Sequence, residues 1–187
     1  MRRGFKTWAE NLALQQRRLL SLSDVAALPA RMLGSYLDVT IIAPDEIPGI
    51  SPSVLHHLHN ADPESWSATT FVRNGCTIII YNKAHSHRRQ ESDIMHELAH
   101  ILCDHQPSQL VRSEFLSIPL RSYDFSQEEE ASWLGGCLQI PRDSLLWAID
   151  RGMNNAMLVE HFGASLDLVR YRRQVTGVDR QLSRRFK

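Results

Sequence analysis

The sequence has few of the features that mark exported or membrane-embedded proteins. Its three cysteines, Cys76, Cys103 and Cys137, are far apart and odd in number, so they predict neither a disulfide framework nor a paired-cysteine metal motif. Residues 1–22 begin with basic side chains, but charges interrupt every apolar run there, and no stretch of the chain approaches transmembrane length. We therefore expect a cytoplasmic protein that does not bind membranes.

The chain also lacks net charge. Its 21 Lys and Arg residues balance 21 Asp and Glu residues, which excludes a protein that binds nucleic acid through its overall charge. The charge is uneven, however, because residues 170–187 carry seven basic side chains against Asp179 alone. Such a run is usually a solvated helix face, and contact with nucleic acid is the alternative. The 187 residues are enough for one domain with a core and a small appendage.

Hydrophobic periodicity predicts a mainly helical α+β protein with a small antiparallel sheet. The expected helices lie near residues 6–20, 23–36, 53–60, 89–104, 126–139, 144–151, 155–161 and 166–176. The expected strands lie near residues 38–42, 67–73 and 76–81. The last two strands flank Asn74-Gly75, and an Asn-Gly pair between apolar runs predicts a hairpin. Residues 106–125 are expected to be irregular.

Residues 96–100 read His-Glu-Leu-Ala-His, an HExxH pentapeptide in the middle of a predicted helix. Positions i and i+4 lie one above the other on a helix, so His96 and His100 can bind one metal ion from the same side. Glu97 lies beside them, where it can act as a general base on water. The flanking apolar residues form a separate stripe that can face a core. The alternative is a polar helix face that carries two solvated histidines.

A catalytic zinc site usually has three protein ligands, so a third must be found. The HExxHxxGxxH pattern fails, because Cys103 replaces its glycine and His105 comes one residue too early. We expect His105 to be exposed or to interact with the helix dipole. Glu130 shares a helical stripe with apolar residues and should point inward, where an acid needs a partner, so we predict Glu130 as the third ligand. Alternatively, Glu130 caps its helix and Glu128 or His105 completes the site.

Further polar residues could assist such a site. Asp93 and Asp104 lie one turn from the histidines and could orient the imidazoles, although exposed acids are the commoner explanation. A group that stabilises an oxyanion is also expected. The candidates for this role are Tyr123, His85, His87, Arg88 and Arg89, and the sequence does not choose among them.

Together with the helix that follows it, the HExxH motif resembles the ImmA/IrrE family of metallo-endopeptidases. That family combines HExxH with a helix of the form E-A-N-x-F-A-A-x-L-L-M-P, and residues 130–141 here read Glu-Ala-Ser-Trp-Leu-Gly-Gly-Cys-Leu-Gln-Ile-Pro. The departures are Ser132, Leu134, Gly135, Gly136, Gln139 and Ile140. The resemblance extends to residues 3–18 and 162–165, so it spans most of the chain.

The resemblance implies a zincin-like metallopeptidase domain with zinc-dependent endopeptidase activity. It implies Zn²⁺ as the cofactor, and the ligand types also admit Mn²⁺. It places His96, His100 and Glu130 on the metal and gives proton transfer to Glu97. It further implies a protein substrate, namely a helix-turn-helix repressor whose cleavage relieves transcriptional repression, often in a stress response.

A competing hypothesis makes the protein a binding module. Residues 155–176 look like a helix-turn-helix, with Gly163 at the turn, Ser165 as a cap and arginines in the second helix. The protein would then be a DNA- or repressor-binding regulator with a structural metal, although two helices around a turn are more often simple packing. We expect a metallopeptidase domain over residues 1–142 and a helical, helix-turn-helix-like extension over residues 143–187.

Overall fold

The computed structural model describes residues 1–58, 65–105, 110–112, 119–121 and 124–184. These parts are mainly helical with a small sheet, which confirms the α+β prediction. The helices are α1 (Phe5–Leu19), α2 (Ala30–Tyr36), α3 (Pro52–His56), α4 (His87–Leu102), α5 (Phe125–Gln139), α6 (Arg142–Asp150), α7 (Asn155–Phe162), α8 (Leu166–Thr176) and α9 (Val178–Ser183). The strands are β1 (Val39–Ile42), β2 (Ala68–Arg73), β3 (Cys76–Tyr81), β4 (Leu110–Arg112) and β5 (Pro119–Arg121).

The larger sheet has the strand order β1-β3-β2. Strands β2 and β3 form the predicted antiparallel hairpin, and Asn74 and Gly75 turn the chain with φ angles of 52° and 78°. Strand β1 pairs with β3 in parallel, so the sheet is mixed and the prediction of an antiparallel sheet is wrong in this respect. The long connection through α3 and β2 allows the chain to return in the same direction.

The starts of two helices differ from the prediction for reasons that the structure shows. Helix α2 begins at Ala30 instead of residue 23, because Pro29 is extended at the helix start, with φ −64° and ψ 133°. Helix α5 is capped by Asp124 instead of Ser126, since the Asp124 carboxylate accepts the backbone N–H of Ser126 at 2.9 Å and of Gln127 at 3.3 Å. These bonds, first of all the one from Gln127, hold the pKa of Asp124 below its ordinary value.

The hairpin of β4 and β5 and the last helix, α9, were not predicted. Strands β4 and β5 pair antiparallel within the segment that was expected to be irregular. Helix α9 follows Gly177, which has a φ angle of 66° and separates α9 from α8. In the described parts of the chain, no helix combines the length and the apolar character that crossing a membrane requires.

A first hydrophobic cluster joins α1, α2, the mixed sheet, α4 and α5. Helices α4 and α5 cross closely at Gly135, where an added Cβ would lie 3.5 Å from His96 Cα and 3.6 Å from the Met95 carbonyl oxygen. A side chain larger than Ala at Gly135 would therefore meet the backbone of the HExxH turn. The glycine, a departure from the family pattern, lets α5 lie against that turn.

A second hydrophobic cluster begins at Ile140 and joins α6, α7, α8 and α9. It is tied to the first by polar contacts. Arg172 on α8 binds Glu10 on α1 and the Ile140 carbonyl oxygen, and Arg142 on α6 donates its backbone N–H to Glu10 Oε2 at 2.8 Å. The two clusters meet between Leu138 and Ile140, and the division of the chain at residue 142 stays a prediction.

Candidate metal centre

Helix α4 places both histidines of the HExxH motif on one side. Its apolar residues Ile94, Met95, Leu98 and Ala99 are buried, whereas the two imidazoles are only partly covered. The two Nε2 atoms, of His96 and His100, lie 3.1 Å apart. One turn of helix separates them, so the predicted convergence of the two side chains is found.

Helix α5 brings Glu128 to the same point. Its Oε2 atom lies 3.1 Å from His96 Nε2, and its Oε1 atom lies 3.5 Å from His100 Nε2. Among the described residues, His96, His100 and Glu128 form the group whose ligand atoms come close enough to hold a metal ion. The site is thus built by two helices, and the close crossing at Gly135 sets the distance between them.

The separations of these three donors match a metal site. Zinc binds nitrogen and carboxylate oxygen at about 2.0–2.1 Å, and a tetrahedron with such bonds has ligand-to-ligand distances of about 3.3 Å. The observed distances are 3.1, 3.1 and 3.5 Å. Two imidazoles and one carboxylate are also the donor types that zinc and manganese accept. The residues present therefore fit a divalent metal ion.

The pKa of His100 favours metal binding. Burial, and next the nearby His96, lower the pKa of His100 to about 4. The imidazole is therefore neutral at physiological pH, and a ring nitrogen with a free lone pair is the form that binds a metal. In contrast, burial raises the pKa of the Cys103 thiol to about 11 and that of Cys137 to about 12, so neither supplies a thiolate.

The predicted ligand Glu130 lies elsewhere. Its side chain is buried, as expected from its apolar stripe, but it leaves α5 about 200° around the helix from Glu128. Its Oε1 atom accepts the backbone N–H of Arg2 at 2.8 Å, and its Oε2 atom is 3.4 Å from His105 Nε2. The partners that a buried acid needs are thus protein groups, and the carboxylate that lies beside both imidazoles is that of Glu128.

The carboxylate of Glu97 has a partner that sequence reasoning missed. Thr70, on strand β2, donates its hydroxyl to Glu97 Oε2 at 2.5 Å. The contact joins the sheet to the HExxH helix and holds one carboxylate oxygen of Glu97. No sequence pattern marks Thr70, since its role depends on the packing of the hairpin against α4.

The other assisting residues are mostly engaged elsewhere. Asp93 binds His85 Nδ1 at 2.7 Å, and the His85 side chain is buried beside Asn82. Asp104 is exposed and ends α4 with a φ of 53°. His105, which was expected to be exposed or at the helix dipole, is enclosed between His100 and Glu130, with only 7% of its side chain accessible.

Among the described candidates for oxyanion stabilisation, none is placed at the metal centre. His87 begins α4 nine residues before His96, which corresponds to about 13 Å of helix, and Arg88 and Arg89 follow it on the same turn. Arg88 binds Glu160 on α7. Tyr123 lies outside the described residues.

Comparison with known proteins identifies a family. A peptidase family model, described as the IrrE N-terminal-like domain, matches residues 56–173. The matched segment covers more than half of the chain and runs from the end of α3 through most of α8, so it includes both helices of the metal centre. No curated protein and no solved structure gives a significant match.

Proposed function

Because the chain belongs to the IrrE N-terminal-like peptidase family, we propose that it is a zinc-dependent endopeptidase. His96, His100 and Glu128 would hold the metal, and Glu97 would be the general base. One observation carries the proposal: two imidazole nitrogens and a carboxylate oxygen lie within 3.5 Å of one another, directly beside the glutamate of an HExxH motif. Manganese would fit the same ligands.

A divalent ion held there would polarise the carbonyl of the scissile peptide bond and make water a stronger acid. Glu97 would accept the proton of the attacking water and then deliver it to the leaving amine. Thr70 supports this role because its hydroxyl donates to Glu97 Oε2, which holds the carboxylate in one orientation. Such a fixed general base contributes about 10²–10⁴-fold to the rate.

Exposed apolar side chains lie near these residues and suit a peptide substrate. Phe125 is 72% exposed and lies on α5 one turn before Glu128. Val72 is also exposed and lies two residues after Thr70 on strand β2, on the same face of the strand. Exposed apolar groups beside a polar centre favour the binding of another protein or peptide chain.

The substrate that we propose is a helix-turn-helix repressor, cut so that transcription is released. The resemblance to the ImmA/IrrE family supports this assignment. The test is to co-express the chain with a helix-turn-helix protein encoded beside its gene and to follow the length of that partner by mass spectrometry, with the Glu97→Gln variant as the control.

Comparing the native chain with the Glu97→Gln variant distinguishes the endopeptidase from the binding module. A partner that is shortened at one bond by the native chain, and left intact by Glu97→Gln, would support both the endopeptidase and its substrate. A partner that co-purifies uncut with both proteins would favour the binding module with a structural metal. A partner cut equally by both would remove Glu97 from the mechanism.

The geometry of α7 and α8 is the observation that favours the binding module. Gly163 turns the chain with a φ of 63°, and Ser165 caps α8 through a 3.1 Å bond to the Leu168 N–H. Two of the arginines expected to contact DNA are engaged inside the protein, however. Arg172 is buried against Glu10, and Arg173 binds Asp179 and Asn155. Helix packing therefore explains these residues better than DNA recognition.

A further inference from the structure

Two buried side chains, those of His105 and Glu130, form a row of contacts that begins at Nδ1 of His100, the ring nitrogen that does not face His96. The Nδ1 atom of His100 lies 3.0 Å from Nδ1 of His105. The other ring nitrogen of His105, Nε2, lies 3.4 Å from Oε2 of Glu130. Both side chains are more than nine-tenths buried, with 7% and 8% accessible, so water competes little for these contacts.

The end of α4 explains why His105 turns back towards His100. Asp104 adopts the left-handed conformation with a φ of 53°, which reverses the chain just after the helix. The His105 N–H then bonds to the His100 carbonyl oxygen at 3.0 Å, and the Asp104 N–H bonds to the Ile101 carbonyl oxygen at 3.0 Å. This closing turn fixes the backbone of His105 on the turn of helix that carries His100.

The row of contacts ends at the carboxylate of Glu130, which is held by Arg2 in the segment before α1. The Arg2 N–H donates to Glu130 Oε1 at 2.8 Å, and the Arg2 guanidinium lies 3.6 Å from Oε2. Both oxygens of Glu130 thus face donor groups of Arg2, and a carboxylate placed among donors accepts hydrogen bonds.

The direction of each hydrogen bond follows from that constraint. Because Glu130 accepts, a His105 ring that carries one proton has it on Nε2, and its Nδ1 is left with a lone pair that faces His100. His105 Nδ1 therefore accepts from His100, which places the His100 proton on Nδ1 and leaves His100 Nε2 free. That free nitrogen is the atom that lies 3.1 Å from His96 Nε2.

We propose that His105 and Glu130 are positioning residues that hold His100 in the tautomer whose Nε2 can bind the metal. This inference rests on the proposed function only in taking His100 as a ligand. Partners of this kind fix the orientation and tautomer of metal-binding histidines, and their loss typically costs about 10–100-fold in metal affinity. Glu130 thus serves the metal centre without touching the metal.

Two variants and two controls test the proposal. His105→Phe keeps the ring but removes both nitrogens, and Glu130→Gln keeps the shape but introduces a donor that allows the opposite direction of bonding. Glu129→Gln removes the same charge from an exposed neighbour on the same turn of α5. Asp104→Gly keeps the left-handed turn without a side chain.

The first readout is the tautomer of His100 in the metal-free protein at neutral pH, from the ¹⁵N shifts of its ring nitrogens. The second is the zinc dissociation constant, from competition with a chromophoric chelator. We expect the Nδ1–H tautomer in the native protein and both controls, and mixed tautomers with about 10–100-fold weaker zinc binding in Glu130→Gln and His105→Phe. The Glu130→Gln variant keeps the His105 ring, so a shift of the His100 tautomer in this variant reports the direction of hydrogen bonding and not the removal of residue 105.

An unchanged tautomer, together with zinc affinity within about twofold of the native value in Glu130→Gln, would overturn the proposal. This variant decides the question even if His105→Phe fails to fold. The proposed function can fail without this proposal. If the native protein binds no zinc, the tautomer populations of His100 still show whether His105 and Glu130 orient its ring. If zinc binds but no peptide is cut, the positioning role stands.

Discussion

The helix pair α4–α5 and the helices α6–α9 differ in what they do with polar side chains. In the first region His96, His100 and Glu128 converge on one point and remain partly exposed there. In the second region Arg172 is fully buried against Glu10 and a backbone carbonyl, so its charge is neutralised within the protein. The first arrangement has room for a ligand, whereas in the second the charge of Arg172 is already paired with that of Glu10.

The comparison shows how residues of similar type acquire different roles. A basic run in the sequence suggested nucleic-acid contact, but one of its charges, that of Arg172, holds α8 against α1. A cluster of three glutamates suggested one ligand, and the helix separates them into a site residue, an exposed acid and a buried acid. What a charged residue does here depends on which neighbours reach it, which composition alone does not reveal.

The largest effect on the free energy of unfolding is expected from Arg172→Met. This change leaves Glu10 without the partner that it binds at 2.5 Å and leaves the Ile140 carbonyl oxygen without a donor. Breaking one half of a buried ion pair costs about 3–5 kcal/mol. Urea unfolding should show this loss, and the double variant Glu10→Gln/Arg172→Met should recover part of it.

The matched control is Arg170→Met, two residues earlier on the same helix. Arg170 is exposed and pairs with Asp167 at 3.7 Å, a contact worth about 0.5 kcal/mol or less. Equal destabilisation by the two substitutions would contradict the structural role assigned to Arg172.

A smaller effect concerns the pH dependence of the metal-free protein. Burial and the neighbouring His96 lower the folded-state pKa of His100 from 6.5 to about 4, so the unfolded chain binds the proton more readily. Stability should therefore fall as the pH decreases from about 6.5 to 4. His100→Gln should show a shallower fall in thermal unfolding measurements over this window, and identical slopes for the two proteins would argue against the shift.

The smallest effect is expected at Gly135. The added Cβ of Gly135→Ala would lie 3.5 Å from His96 Cα, an ordinary contact, and Ala favours a helix by about 1 kcal/mol. The variant should match or slightly exceed the native protein in stability and keep its zinc affinity. Gly135→Leu should separate α5 from α4 and weaken zinc binding, and unchanged binding in that variant would show that the close crossing does not set the site.

Local patterns predicted the elements of the site. The apolar stripe of α4, the Asn74-Gly75 turn and the HExxH spacing each depend on neighbouring residues, and each has its expected structure. The parallel pairing of β1 with β3 was not predicted, since no local signal encodes a partner so distant along the chain.

The third ligand shows the limit of the argument from burial. That argument correctly turned Glu130 inward, but its partners come from Arg2 and His105, which lie in other segments of the chain. Glu128 was kept only as an alternative ligand, and its carboxylate lies at the partly exposed side where the two imidazoles open towards solvent. Thr70 was missed for the same reason, because its contact with Glu97 depends on tertiary packing.

The most direct test of the account compares the zinc dissociation constants of the native protein, Glu128→Gln and Glu130→Gln under one set of conditions. Glu128 is assigned to the metal itself and Glu130 to the orientation of His100. The account predicts a much larger loss of affinity for Glu128→Gln than the loss of about 10–100-fold expected for Glu130→Gln. Native-like binding by Glu128→Gln, with binding abolished in Glu130→Gln, would contradict it.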